Sequence, residues 1–286
     1  MSAIDSINNS IPEFTKYLLL DKKINLNNNL FSIVTENSFK NNSNAFIATI
    51  IPYYLKNNFN VVFLSCNESL IHYATISKKY GVNIVNNSNF HFIDSFYSPY
   101  KKAINEELPL SEQFPYTFNC IKSKNYYNIN INENLNTTIN KSIITIIDKI
   151  INALKESKIK TILIVDNISI LPSSNIKELI DSIYVSSVDN NYSVYLGINT
   201  SLLYEENNTI SNNKYNLENK SINLYNYIDH LSDLEFEFLD NESGFSKDID
   251  GKIRISIKDN LNKSSNWILI YKIKENFIDF MQHLNV

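Results

Sequence analysis

Glycine is the residue type that this sequence most clearly lacks. The 286 residues include only four, and they lie far apart along the chain. A Walker-type phosphate loop requires two glycines five positions apart followed by Lys-Ser/Thr, and a dinucleotide fingerprint requires three at fixed spacing, because only glycine lets backbone amides close around a phosphate. Neither spacing occurs here, so the usual sequence motifs for nucleotide binding are absent. The four glycines are Gly81, Gly197, Gly244 and Gly251.

Arginine is scarcer still, because Arg254 is the only one. Bidentate recognition of a phosphate or a guanine could therefore come from one side chain at most. The formal net charge of −4 and the pI near 5.6 argue against a protein that binds nucleic acid on its own, since such proteins normally carry a basic surface.

Cysteine is also scarce, and targeting signals and long apolar runs are missing. Cys66 and Cys120 form no Cys-x-x-Cys pair. The first residues show neither the charged nor the apolar region of a signal peptide, and no apolar run approaches the roughly 18 residues of a membrane span. These features predict a soluble protein of a reducing compartment, the cytoplasm, with the nucleus as a second location.

The sequence also lacks patterns for metal or hydrolytic chemistry. Four histidines are scattered without the spacing of a zinc site, and no serine lies in a Gly-x-Ser-x-Gly elbow. His72 and Tyr73 follow a predicted strand end, where ligands often bind, although packing or helix capping is the alternative. We therefore predict no catalytic residue, no metal and no cofactor. The histidines are His72, His91, His230 and His283.

Asparagine, by contrast, is abundant, with 47 residues. Asparagine, Ile, Lys, Tyr and Phe are all encoded by A/T-rich codons. We therefore interpret the abundance of asparagine as a result of genomic drift in preference to a sign of disorder. The Asn-rich segments 125–140 and 205–219 carry Lys and Tyr and could contact RNA through stacking and phosphate contacts, with solvated surface as the alternative.

Strand and helix patterns alternate along most of the chain. Apolar runs of the kind found in buried parallel strands alternate with helical stripes, which predicts βαβ units and a mainly parallel sheet. Strands are predicted at 31–35, 60–66, 90–94, 161–166 and 192–198, and helices at 46–55, 70–76, 143–154 and 176–184. Residues 95–137 show no periodicity and are predicted to form an irregular insert.

The C-terminal part changes character after the Asn-rich loop at about 205–219. Three strand patterns follow in succession, at 233–239, 252–258 and 267–274, and the middle one alternates strictly, which indicates one buried and one wet face. If the first two pair, Glu235 and Glu237 lie opposite Lys252 and Arg254. We predict one α/β domain over 1–286, with a core at about 28–283 and antiparallel C-terminal strands on a mainly parallel sheet.

This layout matches that of a RecA-like ATPase without its phosphate cradle. In such enzymes the loop after the first strand holds phosphates, and an aspartate after a later apolar strand helps to hold magnesium. Here the loop at 36–44 contains one cation, Lys40, and no glycine, while Asp166 ends the strand at 161–166. A strand-end residue that caps or turns the chain is the alternative for Asp166.

Several segments resemble the family of the sixth subunit of the Elongator complex. VVFLSCNESLIHYATISKKYGVN at 61–83 is similar to that family's second strand and the helix after it. ILIVDNISIL at 162–171 is similar to its degenerate Walker B strand. GFSKDIDGKIRI at 244–255 is similar to its C-terminal hairpin, and YKI at 271–273 to its last strand. The resemblance runs in order from about residue 30 to about residue 283, and only the combination is specific.

The resemblance implies a RecA-like domain without working Walker motifs and a non-catalytic role. It implies assembly with the fourth and fifth Elongator subunits into a hexameric ring that binds tRNA and supports 5-carboxymethyl-type modification of the wobble uridine (U34). The alternative is a weak ATPase subunit. Its site would include Asp166 and would be completed by a neighbouring subunit. The best basic cluster for RNA or partner contact consists of Lys247, Lys252, Arg254, Lys258 and Lys263. The alternative role of this cluster is to form the solvent-exposed face of a hairpin.

Overall fold

In the residues that the computed structural model describes, ten β-strands form one sheet, with helices against both faces. The described residues are 30–36, 42–95, 125–129, 137–171, 176–200, 225–240, 248–258, 264–274 and 277–285. The strands are β1 (Phe31–Glu36), β2 (Asn60–Ser65), β3 (Phe90–Asp94), β4 (Tyr126–Asn128), β5 (Thr161–Val165), β6 (Ser193–Asn199), β7 (Leu234–Asp240), β8 (Gly251–Lys258), β9 (Ser264–Lys274) and β10 (Phe277–Asn285). The helices are α1 (Asn42–Lys56), α2 (Leu70–Lys79), α3 (Thr137–Leu154), α4 (Ile176–Asn190) and α5 (225–231).

The strand order across the sheet is β10-β9-β8-β7-β1-β6-β5-β2-β3-β4. The strands from β7 to β4 in this order are all parallel to one another. The last three strands of the chain extend the β7 side with antiparallel pairs. The predicted fold class, a mainly parallel α/β sheet with antiparallel C-terminal strands, is confirmed.

Two apolar clusters hold the helices against the sheet. One lies beneath α1 and α2, where the Phe63 and Tyr73 rings meet edge to face at 4.5 Å between centroids. The other lies beneath α3, α4 and α5, and includes Ile147 and Ile180. Each such side chain, when removed from water, contributes roughly 1.5–3 kcal/mol. Because both faces of the central strands are covered, β2 shows a continuous apolar run in place of alternation.

Local signals set the ends of α2. Ser69 caps its first turn by accepting a hydrogen bond from the His72 amide, at 3.4 Å. Gly81, just beyond its end, has φ of +74°, a left-handed conformation that glycine adopts without strain. The predicted helix end near this glycine is confirmed. None of the helices in the described ranges is long and apolar enough to cross a bilayer.

Two strands were not predicted. β4 lies inside segment 95–137, so the expectation that this whole segment is irregular is wrong for residues 126–128. A strand this short carries no readable alternation, and it forms by parallel pairing with β3. β10 follows β9 after a short connection, so the pattern at 267–274 is not the last strand. Residues 96–124 and 130–136 of the insert, and the whole of the 205–219 loop, lie outside the described residues.

The predicted charge pairing between β7 and β8 is half right. Arg254 lies opposite Glu237, and its Nη1 is 2.8 Å from the Glu237 Oε2. Glu235 lies opposite Ser256, not Lys252, so that part of the expectation is wrong. The physical reason is that β7 and β8 are antiparallel, so two residues back from Glu237 corresponds to two residues forward from Arg254. Glu235 is buried, and its carboxylate accepts hydrogen bonds from the Tyr225 hydroxyl at 2.6 Å and the Thr35 hydroxyl at 3.2 Å.

Candidate functional site

The carboxyl ends of the parallel strands carry a row of buried polar side chains. In open α/β sheets ligands bind at this edge, so it is the place to look for a site. Here the residues at or just after the strand ends are buried although they are polar. Asp166 follows the end of β5, and the others are the last residues of their strands: Glu36 of β1, Asn199 of β6, Ser65 of β2 and Asp94 of β3.

Asp166 is the centre of a dense hydrogen-bond network in this row. Its side chain is 1% exposed, and both carboxylate oxygens accept hydrogen bonds from the segment that joins β2 to α2. Oδ1 accepts from the Cys66 amide at 2.6 Å and the Asn167 amide at 2.7 Å. Oδ2 accepts from the Ser65 hydroxyl at 2.9 Å, the Asn67 amide at 3.1 Å and the Tyr73 hydroxyl at 2.8 Å.

This network occupies the lone pairs that a metal would need. A carboxylate offers about four acceptor positions, and five donors converge on Asp166. The hydrogen bonds of Asp166 tie the end of β5 to the connection between β2 and α2. Among the described residues no group of three His, Cys, Asp or Glu side chains is arranged to hold a metal ion.

Electrostatics around Asp166 follow from its burial. Desolvation raises the pKa of this carboxyl, and the hydrogen bonds from the Cys66 amide and the Tyr73 hydroxyl oppose that rise by stabilising the anion. Burial, and then the Asp166 charge, raise the pKa of the Cys66 thiol well above its usual value. A thiol held in its neutral form is a poor nucleophile, so Cys66 serves packing, not covalent chemistry.

Glu36 lies at the same edge of the sheet, at the end of β1. Its buried carboxylate accepts hydrogen bonds from the Ser43 amide at 3.1 Å and from the Ser43 hydroxyl at 2.7 Å, in the first turn of α1. The start of a helix after a β-strand is where nucleotide phosphates bind in phosphate-loop proteins, because free amides and the helix dipole attract anions. In this protein an internal carboxylate already occupies that position. Lys40 lies outside the described residues.

His72 and Tyr73, considered together from sequence, have different roles. His72 is more than one-third exposed, with Nδ1 3.9 Å from Glu68 Oε2, while its backbone amide is part of the α2 cap. Tyr73 is buried and donates to Asp166, and burial followed by the Asp166 charge raises its pKa well above the usual value. Sequence reasoning missed this contact, because residues 93 positions apart show no common pattern.

The basic residues on β8 form a partly paired row. Alternation places Lys252, Arg254 and Lys258 on one face of the strand. Arg254 pairs with Glu237, and Lys258 Nζ lies 2.5 Å from Asp229 Oδ1. Two of these charges are therefore balanced within the chain. The other two members of the predicted basic cluster, Lys247 and Lys263, lie outside the described residues.

Sequence comparison identifies the family. The sequence model of the Elongation complex protein 6 family matches residues 15–275. This chain belongs to the Elongation complex protein 6 family. It is accordingly an Elongator subunit with a RecA-like fold, and the resemblance read from four segments of the sequence is confirmed. No curated protein matches this family member in sequence.

Solved structures share the fold at low sequence identity. An uncharacterized protein of Pyrococcus horikoshii, solved with an unknown peptide, aligns with a TM-score of 0.57 at 11% identity over 94% of this chain and 96% of its own. The flagellar accessory protein FlaH of Methanocaldococcus jannaschii aligns with a TM-score of 0.50 at 14% identity, over 92% and 95% of the two chains. Both likenesses concern the fold alone.

Proposed function

We propose that this chain is a non-catalytic Elongator subunit that assembles with the fourth and fifth subunits into a hexameric ring. The ring binds tRNA in the cytoplasm, with the nucleus as a second location, and supports 5-carboxymethyl-type modification of the wobble uridine (U34). Family membership over residues 15–275 supports the placement in Elongator. A closed ring of RecA-like subunits needs two different faces per subunit, which a sheet covered on both sides provides.

One observation carries the non-catalytic part of the proposal. The Glu36 carboxylate accepts both the amide and the hydroxyl hydrogen bond of Ser43 at the start of α1. Phosphoryl transfer depends almost entirely on positioning the phosphates and magnesium. A buried carboxylate at the phosphate position takes up the donors that a phosphate would need and repels its negative charge. The five hydrogen bonds to Asp166 oppose magnesium binding on the next strand but one. The site is filled by the protein's own side chains.

A weak ATPase completed by a neighbouring subunit is the second candidate. It is favoured by the RecA-like fold and by the place of Asp166 at the end of β5, where such enzymes hold magnesium. Under this alternative the five hydrogen bonds to Asp166 rearrange on assembly. The two candidates differ in what happens to ATP turnover when this carboxylate is changed.

The test uses the reconstituted ring and the Asp166→Asn variant, which keeps the side-chain size. Co-purification followed by subunit identification and sedimentation establishes whether the chain enters a hexamer with the fourth and fifth subunits. ATP turnover is then compared in rings that have assembled to the same extent. We expect equal turnover in the two rings. A drop of about tenfold, or about 1.4 kcal/mol in barrier, with assembly intact would establish the composite ATPase.

A further inference from the structure

A groove of about 480 Å³ lies between α3 and α4, on the outer side of these helices. Both lining segments are near the helix C-termini, which lead into β5 and β6. The groove therefore lies towards the amino ends of the strands, at the opposite end of the sheet from Glu36 and Asp166. The lining residues are Asp148, Asn152, Asp181, Ser182, Val185, Ser186, Asp189 and Asn190.

Two exposed valines lie at the groove, because Val185 lines it and Val188 follows one turn later on the same helix. Val185 and Val188 are each 56% exposed, more than any other large apolar side chain in the described part of the chain. They are three residues apart on α4, so they lie side by side on the helix surface. Single exposed valines need no explanation, but two neighbours beside an open groove are typical of a surface that a partner covers.

The charge of the groove has one sign. Three of the lining residues are aspartates, and none is a lysine or an arginine. Two of these carboxylates are held in place, because Asp148 accepts a hydrogen bond from the Ser186 hydroxyl at 2.7 Å and Asp181 accepts one from the Tyr227 hydroxyl. The protein thus builds a partly fixed acidic rim beside its exposed valines.

We propose that this groove receives a basic amphipathic helix of another protein. Such a helix places apolar side chains on Val185 and Val188 and flanks them with lysines or arginines that meet the three aspartates. Helices commonly bind in this way, with apolar anchors spaced one turn apart. Complementary charges speed the encounter and select the partner. The proposal goes beyond the ring assembly, and it depends neither on nucleotide binding nor on tRNA.

The probe is a labelled helical peptide with leucines along one face and lysines beside them, titrated with the full chain and followed by fluorescence anisotropy. The disrupting variant is Val185→Lys, which changes an exposed side chain and adds one positive charge. The matched control is Ile71→Lys on α2, which changes another exposed apolar residue on the opposite face of the sheet. A peptide with glutamates in place of the lysines controls for charge.

We expect the lysine peptide to bind the natural chain and the Ile71→Lys variant equally, and the Val185→Lys variant at least about tenfold more weakly. Binding should weaken at high salt. Equal binding of both peptides, or no effect of Val185→Lys, would overturn the proposal. A chain that dimerises in sedimentation, and that Val185→Lys converts to monomers, would show that a second copy fills the groove, which also contradicts it.

Discussion

The Asp166 carboxylate connects parts of the chain that are about a hundred residues apart in sequence. It joins the end of β5 to the connection between β2 and α2 through side-chain and backbone donors. In an interior with few competing waters such charge-assisted bonds are stronger than at the surface, and each donor left without its acceptor is costly. The carboxylate therefore stabilises the edge of the sheet at which a RecA-like enzyme would bind nucleotide.

Replacing Asp166 by Asn should lower the free energy of unfolding by about 2–4 kcal/mol, because the amide presents one acceptor oxygen to five donors and brings two hydrogens among them. Urea denaturation of the purified chain measures this loss. The exposed Glu156→Gln change is the control and should stay within about 0.5 kcal/mol of the natural protein. Equal stability of the two variants would mean that the Asp166 hydrogen bonds are dispensable.

His91 is a second residue whose environment gives a measurable prediction. It is 8% exposed, its ring stacks near Tyr127, and neither ring nitrogen has a hydrogen-bond partner in the part of the chain that the structure describes. Burial lowers its pKa from 6.5 to about 4. Between pH 6.5 and about 4, His91 is protonated in the unfolded chain but stays neutral in the folded chain. His91 therefore lowers the free energy of unfolding as the pH drops through this range.

The measurement for His91 is the difference between the stability at neutral pH and that near pH 4, for the natural chain and for His91→Phe. We expect the acid-induced loss of folding free energy to be smaller in the variant by about 2 kcal/mol. This value is below the free energy that the full pKa shift would give, because His91 keeps some contact with solvent. The phenylalanine ring can keep the stacking on Tyr127 while removing the titrating nitrogens. Identical pH profiles would show that His91 is solvated when folded.

At the scale of elements, the sequence was most informative where both faces of a strand are buried. The apolar runs of β2, β3 and β5 and the stripe of α3 are predicted within a few residues, because full burial demands apolar side chains throughout. β4 could not be found, since a three-residue edge strand depends on its neighbour. The Glu36–Ser43 contact was also hidden, because nothing in a polar loop shows which side chain turns back to the helix.

Two glycines show why elements need this residue for different reasons. In β6, a Cβ on Gly197 would lie 1.9 Å from the backbone carbonyl oxygen of Asp166, so the close approach of the chain after β5 requires a missing side chain. At Gly81 a Cβ would meet nothing within 4 Å, and only the positive φ favours glycine. The scarcity of glycine thus leaves it at positions where backbone geometry demands it.

This difference predicts unequal costs for the same substitution. Gly197→Ala should destabilise the chain by more than about 3 kcal/mol, because backbone atoms must move to relieve the overlap. Gly81→Ala should cost about 1 kcal/mol, the price of a left-handed alanine. Thermal unfolding followed by circular dichroism compares the two. Similar losses would mean that β6 can shift away from Asp166 without disturbing the sheet.

At the scale of the whole molecule, the two ends of the parallel sheet have different properties. At the carboxyl end, which holds ligands in other open sheets, the Glu36 carboxylate accepts a hydrogen bond from the Ser43 amide and the Asp166 carboxylate accepts one from the Cys66 amide. The amino end carries the acidic groove between α3 and α4. Under the function that we propose, this edge of the sheet serves stability, and the contacts with partners lie on the outer surfaces.

Charge decides how such a subunit can take part in tRNA binding. The chain has a net charge of −4, and Arg254 and Lys258 are paired with Glu237 and Asp229. Because phosphate contacts dominate affinity for nucleic acid, the isolated chain should bind tRNA at least about tenfold more weakly than the reconstituted ring at physiological salt. Filter binding or anisotropy with the same tRNA measures both affinities.

The basic row on β8 provides the matching variant. If Lys252 and Arg254 only form the solvent-exposed face of a hairpin, replacing both by Ala in the ring should alter tRNA affinity by less than about twofold. The slope of log affinity against log salt should then stay unchanged. A slope reduced by about one or two would instead show that they contact phosphates. If the isolated chain binds tRNA as tightly as the ring does, the subunit binds RNA by itself, and the proposal that tRNA binding belongs to the assembled ring is wrong.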